Sequence, residues 1–158
     1  MNVDDVLKYG HQTVMHSIKG LDASDCERGG VCGVWSVKDI IAHLASHELV
    51  LLDVLHTFLD STPTPNLDNY LAQGYAFNDF EVDKRKEIAY DEIVREYEQA
   101  MVQVRELAAR VPLEKRRQAG TLPWYGEGYD LEDLITYSNY GHKREHCAQI
   151  AVYRDTLK

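Results

Sequence analysis

Trp35-Ser36-Val37-Lys38-Asp39-Ile40-Ile41-Ala42-His43-Leu44-Ala45-Ser46-His47-Glu48 opens the longest periodic stretch of the chain. Ser36 offers a hydroxyl at an N-cap position and Asp39 a carboxylate three residues on, a variant of the capping box, while Trp35 stands where the outer half of a hydrophobic staple belongs. Ile40, Ile41, Leu44, Leu51, Leu55 and Leu59 then keep helical period until Ser61-Thr62-Pro63-Thr64-Pro65 breaks it. The pattern predicts a helix from Val37 to Leu59, about six turns and roughly 34 Å long.

The rest of the chain supplies partners of the same kind. Val3, Val6, Leu7, Val14, Met15 and Ile18 trace an amphipathic stripe that predicts a first helix over Asp4 to Ile18, ending near Gly20. A loop with Gly29, Gly30 and Gly33 follows. Residues 67–86 read as a less regular helical region interrupted at Gly74, and Tyr90 to Arg110 carries a clean stripe through Ile93, Tyr97, Ala100, Met101, Val104, Leu107 and Ala108, stopped by Pro112. After Glu114-Lys115-Arg116-Arg117, expected to be a solvated face, and a loop containing Pro123-Trp124-Tyr125-Gly126, a last helix is expected from Leu131 to Thr156. No β pattern of comparable strength appears. Four long amphipathic helices bury their stripes most economically as an all-α bundle, with residues 67–86 as a crossover carrying its own helix.

At 158 residues, 44% hydrophobic and 27% charged, the composition is that of one ordinary globular domain over residues 1–158. Seventeen Lys and Arg against 26 Asp and Glu leave a net charge of −9. Counterion release from a phosphate backbone is then no general driving force, so neither nucleic acid nor an anionic membrane is the expected partner. The N-terminus has no basic, apolar leader and no apolar run approaches about 18 residues, so a cytoplasmic location is expected. Three cysteines in such a chain are expected to be reduced. Cys26 and Cys32 could bridge under oxidation, and Cys147 reads as a buried structural thiol.

Seven histidines separate by helical face. His142 and His146 fall in the middle of the stripe formed by Leu131, Ile135, Gln149, Ile150 and Tyr153, and this HxxxH spacing lets two imidazoles share one metal ion. His43 and His47 repeat the spacing on the earlier helix, with His47 nearer the centre of its stripe and His43 at the border. A third imidazole from that helix completes three protein ligands and leaves the open position of a catalytic site. His11, His16 and His56 lack such partners and read as surface or packing residues. Asp39 is explained by capping, with orientation of His43 as the alternative. His142-Lys143-Arg144-Glu145-His146 also fits the HxxEH string of inverzincin peptidases, but those enzymes need a distal ligand and a much larger domain. Glu145 projects to one side of His142, as a candidate base, an outer carboxylate or a partner for Lys or Arg. Trp124, Tyr125 and Tyr129 are placed to roof a pocket or to pack over the bundle end.

The segment from Trp35 to Glu48 resembles the Trp-Ser/Thr-x-x-Asp/Glu-hydrophobic-x-x-His-Leu segment of the DinB superfamily, and Tyr140-Gly141-His142-Lys143-Arg144-Glu145-His146-Cys147-Ala148-Gln149-Ile150 resembles its last-helix HxxxH segment. The stretch from Phe77-Asn78-Asp79-Phe80 through Arg110 looks like the DfsB/ClbS-like branch. The resemblance implies an up-down-down-up four-helix bundle, frequently a homodimer, and one divalent ion held by three histidines, which match here to His43, His142 and His146, with His47 as the first alternative. It also implies chemistry drawn from thiol-dependent isomerases and transferases that use bacillithiol, mycothiol or glutathione, or from ClbS-like ring opening without an obvious need for metal.

The leading expectation is therefore a DinB-type enzyme holding Zn²⁺ or Ni²⁺, since an imidazole triad suits borderline ions better than Mg²⁺ or Ca²⁺. It would act as a hydrolase or a thiol transferase on a small electrophilic molecule, with Glu145 as base and a low-molecular-weight thiol as co-substrate. The competing expectations are a metal-free ClbS/DfsB-like hydrolase and a non-enzymatic dimer that sequesters a small molecule.

Overall fold

The computed structural model describes residues 2–158. In chain order the elements are α1 (Val3–Ile18), α2 (Ala23–Cys26), α3 (Val37–Leu59), α4 (Pro65–Gln73), α5 (Ala76–Asp83), α6 (Tyr90–Arg110), α7 (Leu113–Arg116), α8 (Leu131–Asp133), a π-helical segment (Leu134–Gly141) and α9 (His142–Asp155). Among the described residues the one β feature is an isolated bridge between Cys32 and Trp35, so the fold is all-α.

Side-chain contacts fix the directions of the long helices. Arg105 reaches Asp4 at 2.8 Å and His11 stacks on Tyr97, so α1 and α6 run antiparallel. Gly10 faces Lys143 and Arg154 donates to the Ser17 carbonyl, so α1 and α9 run parallel. Glu48 meets Asn139 while His43 meets His146, so α3 and the last helix are antiparallel. The bundle is thus up-down-down-up, and the parallel pair α3 and α6 requires a long crossover between them.

That crossover is α4 and α5, separated at Gly74, whose φ of +55° lies in the region that L side chains rarely adopt. Asp53 of α3 caps α4 from a distance, accepting from the Asn66 and Leu67 backbone N–H groups at 2.6 and 3.0 Å. Arg85, 6% exposed, forks onto Glu96 of α6 at 2.6 and 2.9 Å and reaches Glu81 of α5 at 2.7 Å. These contacts hold the crossover against the bundle.

Helix α3 starts as its sequence dictates: Ser36 Oγ accepts from the Asp39 N–H at 3.1 Å and Asp39 Oδ2 accepts from the Ser36 N–H at 2.9 Å. Sixteen of its 23 residues are buried. A window with mean hydropathy 1.2 gives it the length and composition to cross a membrane, and 78% of that window is buried inside the bundle. It is the central helix, apolar on nearly every side. For that reason the border position is not a surface: His43 is 3% exposed and lies deeper than the half-buried His47, the reverse of the projection onto a single stripe.

The apolar core forms two clusters. One holds Leu7, Leu51, Leu55, Phe77, Met101 and Ile135, and the other Val14, Ile40, Ile41, Leu44, Ile93 and Ile150. Residues 46–48 of α3 fall between them, and the polar side chains of the molecule's centre gather at that level.

The last helix departs from the expected continuous α-helix. It opens with a capping box between Asp130 and Asp133, then runs as π-helix over Leu134–Gly141 before the α-helical turns resume at His142. The i→i+5 bonds of a π segment change the phase, so residues before His142 do not share its face as an uninterrupted α-helix predicts.

Candidate metal centre and the adjoining pocket

Four imidazoles meet where α3 crosses α9. His43 Nε2 and His146 Nε2 lie 2.8 and 3.0 Å from His142 Nε2. The His47 ring centroid is 4.6 Å from that of His43 and 4.9 Å from that of His142, and His43, His47 and His142 each offer a ring nitrogen within 4.8 Å of the other two. His146 Nδ1 donates to Gln149 Oε1 at 2.8 Å, which leaves the Nε2 lone pair facing the cluster. His47 Nε2 donates to Asn78 Oδ1 of α5 at 3.1 Å. The Trp35 ring covers His43 at 4.9 Å.

All four rings are held neutral. Burial lowers each of them; the other three imidazoles push His43 down further, and His142 falls to about 3 through burial and the neighbouring His47, His146 and Lys143. Neutral imidazole is the ligating form. The donor set fits a borderline divalent cation for a second reason. A shared proton can serve one N···N contact, whereas His142 Nε2 makes two, and a cation facing that nitrogen relieves what one proton cannot. The contacts are a few tenths of an ångström shorter than the roughly 3.3 Å edge of a tetrahedron with 2.0–2.1 Å bonds.

The depressed values also set a pH dependence for the chelator-treated protein. Below pH 6.5 the unfolded chain takes up protons that the buried rings refuse, so stability present above that pH is lost as pH falls. Between pH 6.5 and 5.0 His142 alone costs about 2 kcal/mol, and the other three rings add to it. Urea denaturation at pH 7.5 and 5.0 measures this; equal midpoints would show that the rings are protonated within the fold.

Beside the cluster opens a pocket walled by Leu51, Tyr70, Trp124 and Tyr125, with His47 and Asn139 at its polar side. His47 is the imidazole shared by cluster and pocket. Trp124 and Tyr125 take up the roofing position expected of their loop, whereas Tyr129 packs on the outer side of Tyr125 at 5.3 Å and is 48% exposed.

The structure brings His43, His142 and His146 together with His47, and leaves Glu145 exposed, outside the pocket lining, where its charge favours the protonated form of His146. Asp39 is engaged with Ser36 and, at 3.1 Å, with Lys86, while His43 Nδ1 has no partner among the described residues, so Asp39 caps and does not orient. Sequence reasoning missed Tyr70 and Asn78, carried in by the crossover, and Gln149 as a partner of His146. It also missed the ion pair of Lys143 with Glu48 at 2.6 Å, both 1% exposed. The signal for the pair was there: a carboxylate within an all-round apolar helix and a lysine between two inward histidines.

A family model described as mycothiol-S-transferase matches residues 2–158. The chain belongs to that family, which lies within the DinB-like superfamily. No curated protein and no solved structure matches it.

Proposed function

We propose that this member of the mycothiol-S-transferase family joins a low-molecular-weight thiol to a small electrophile, with His43, His142 and His146 holding one Zn²⁺ or Ni²⁺ ion. The observation that carries the reading is the convergence of their Nε2 atoms, at 2.8 and 3.0 Å, next to an aromatic-walled pocket. A bound cation supplies Lewis acidity, lowering the pKa of a coordinated thiol so that thiolate is available at neutral pH.

The chain's own residues do the rest. Burial keeps the imidazoles unprotonated, and Gln149 fixes the His146 ring so that Nε2 faces inward. Tyr70, Trp124 and Tyr125 present aromatic surface for the apolar body of the electrophile and keep water from the attacking sulfur. The sulfur forms a bond to the electrophilic carbon, the leaving group departs with the bonding pair and the thiol proton passes to solvent. Glu145 takes no part in this reading.

Zn²⁺-loaded protein with mycothiol and 1-chloro-2,4-dinitrobenzene tests it by absorbance of the thioether and by chloride release. Turnover above the uncatalysed rate, lost on chelation and restored by Zn²⁺ or Ni²⁺, is expected. Turnover that is indifferent to metal, or none with any metal, would remove the proposal.

A further inference from the structure

Asn139 stands on the π-helical segment, 8% exposed, and lines the aromatic pocket. Behind it, away from solvent, lie Glu48 and Lys143. Asn139 Nδ2 is 2.8 Å from Glu48 Oε1, and Asn139 Oδ1 is 2.9 Å from Lys143 Nζ. The amide cannot be turned over. A carboxylate only accepts and an ammonium only donates, so the nitrogen must face Glu48 and the oxygen must face Lys143. The two charged groups also meet each other at 2.6 Å, closing a triangle of three partly or fully buried polar side chains.

The amide nitrogen carries two hydrogens. Among the described residues Glu48 Oε1 is the acceptor that Nδ2 meets, which uses one of them. The other belongs to a group that lines a pocket whose remaining walls are mostly apolar or aromatic. Apolar pockets gain their selectivity from a few fixed polar groups, and a donor held by an ion pair costs little reorganisation when a ligand arrives.

We infer that Asn139 is the recognition donor of this pocket: its free N–H hydrogen-bonds an oxygen acceptor of the bound molecule, and the Glu48–Lys143 pair is the positioning device behind it. The ligand class is a small aromatic or otherwise apolar molecule that bears a carbonyl, nitro or similar oxygen. The inference rests on the reading of this pocket as the substrate site, yet it concerns binding alone and needs no thiol.

Acetophenone and α-methylstyrene have nearly the same shape and differ in whether C=O or C=CH₂ projects from the ring. NMR chemical-shift titration of Zn²⁺-loaded wild type with each is expected to show acetophenone roughly three- to tenfold tighter, the range of one net hydrogen bond. Asn139→Leu is expected to erase that advantage while α-methylstyrene affinity and zinc content stay within about twofold. Equal affinities in wild type, which need no variant, overturn the inference; so does failure of both probes to bind, or an advantage that survives in Asn139→Leu. A carbonyl preference without mycothiol transfer removes only the catalytic reading, and transfer without the preference removes only this one.

Discussion

His142→Ala is expected to take the purified protein from near-stoichiometric metal to none. His142 Nε2 is the atom that both other candidate ligands approach, at 2.8 Å from His43 and 3.0 Å from His146, so its removal divides the set rather than trimming an edge. Losing an outer partner typically weakens metal binding 10–100-fold, and loss of a direct ligand exceeds that, so affinity should fall by more than about 100-fold. Gln149→Leu, which removes only the acceptor of His146 Nδ1, should fall inside the smaller range. The fold should survive, because the neutral, half-buried ring of His142 leaves no charge behind. Elemental analysis reads the stoichiometry, and thermal unfolding gives a second measure. Wild type gains about 2.7 kcal/mol at a free metal concentration 100 times its Kd, and the variant gains less than about 0.4 kcal/mol at the same concentration. Thiol transfer should drop to the uncatalysed rate. Metal retained at full stoichiometry in His142→Ala but lost in His47→Ala would move the centre onto the α3 pair and away from α9.

The features legible in the sequence were the local ones. Ser36 and Asp39 mark the start of α3 because a capping box is written in four residues, and the HxxxH spacing puts two imidazoles on one side of any α-helix. The illegible features depend on what surrounds an element. His47 projected further inward than His43 only while α3 was taken as a helix with one buried stripe; packed on most sides, it has no outer border at residue 43. The π segment has no composition that separates it from α-helix, and through it Asn139 reaches both the pocket and Lys143. Tyr70 and Asn78 lie on the crossover, whose irregular periodicity gave no face to assign until it docked on α3.

Lys143→Met should be among the most destabilising single substitutions in the molecule. Lys143 and Glu48 are each 1% exposed and 2.6 Å apart, with Asn139 Oδ1, Met101 Sδ and the face of Tyr97 as the other neighbours of the ammonium. Removing the cation leaves a buried carboxylate satisfied only by Asn139, a situation that typically costs 3–5 kcal/mol. For a chain of this size that is roughly a 6–20 °C fall in Tm, read by calorimetry on chelated protein. The double variant Glu48→Leu with Lys143→Met behaves differently. It replaces both charges with apolar groups of similar size, and such exchanges are commonly neutral or stabilising, so most of the loss should return. Stability and positioning separate here. In the double variant the Asn139 amide has lost both groups that dictate its orientation, so the acetophenone preference should collapse although the protein is again firmly folded. Recovery of Tm together with recovery of the preference would mean that the ion pair fills space and does not aim the amide. A preference lost while Tm returns would explain why a fully buried ion pair stands at the centre of the bundle, where packing alone gives no reason for it.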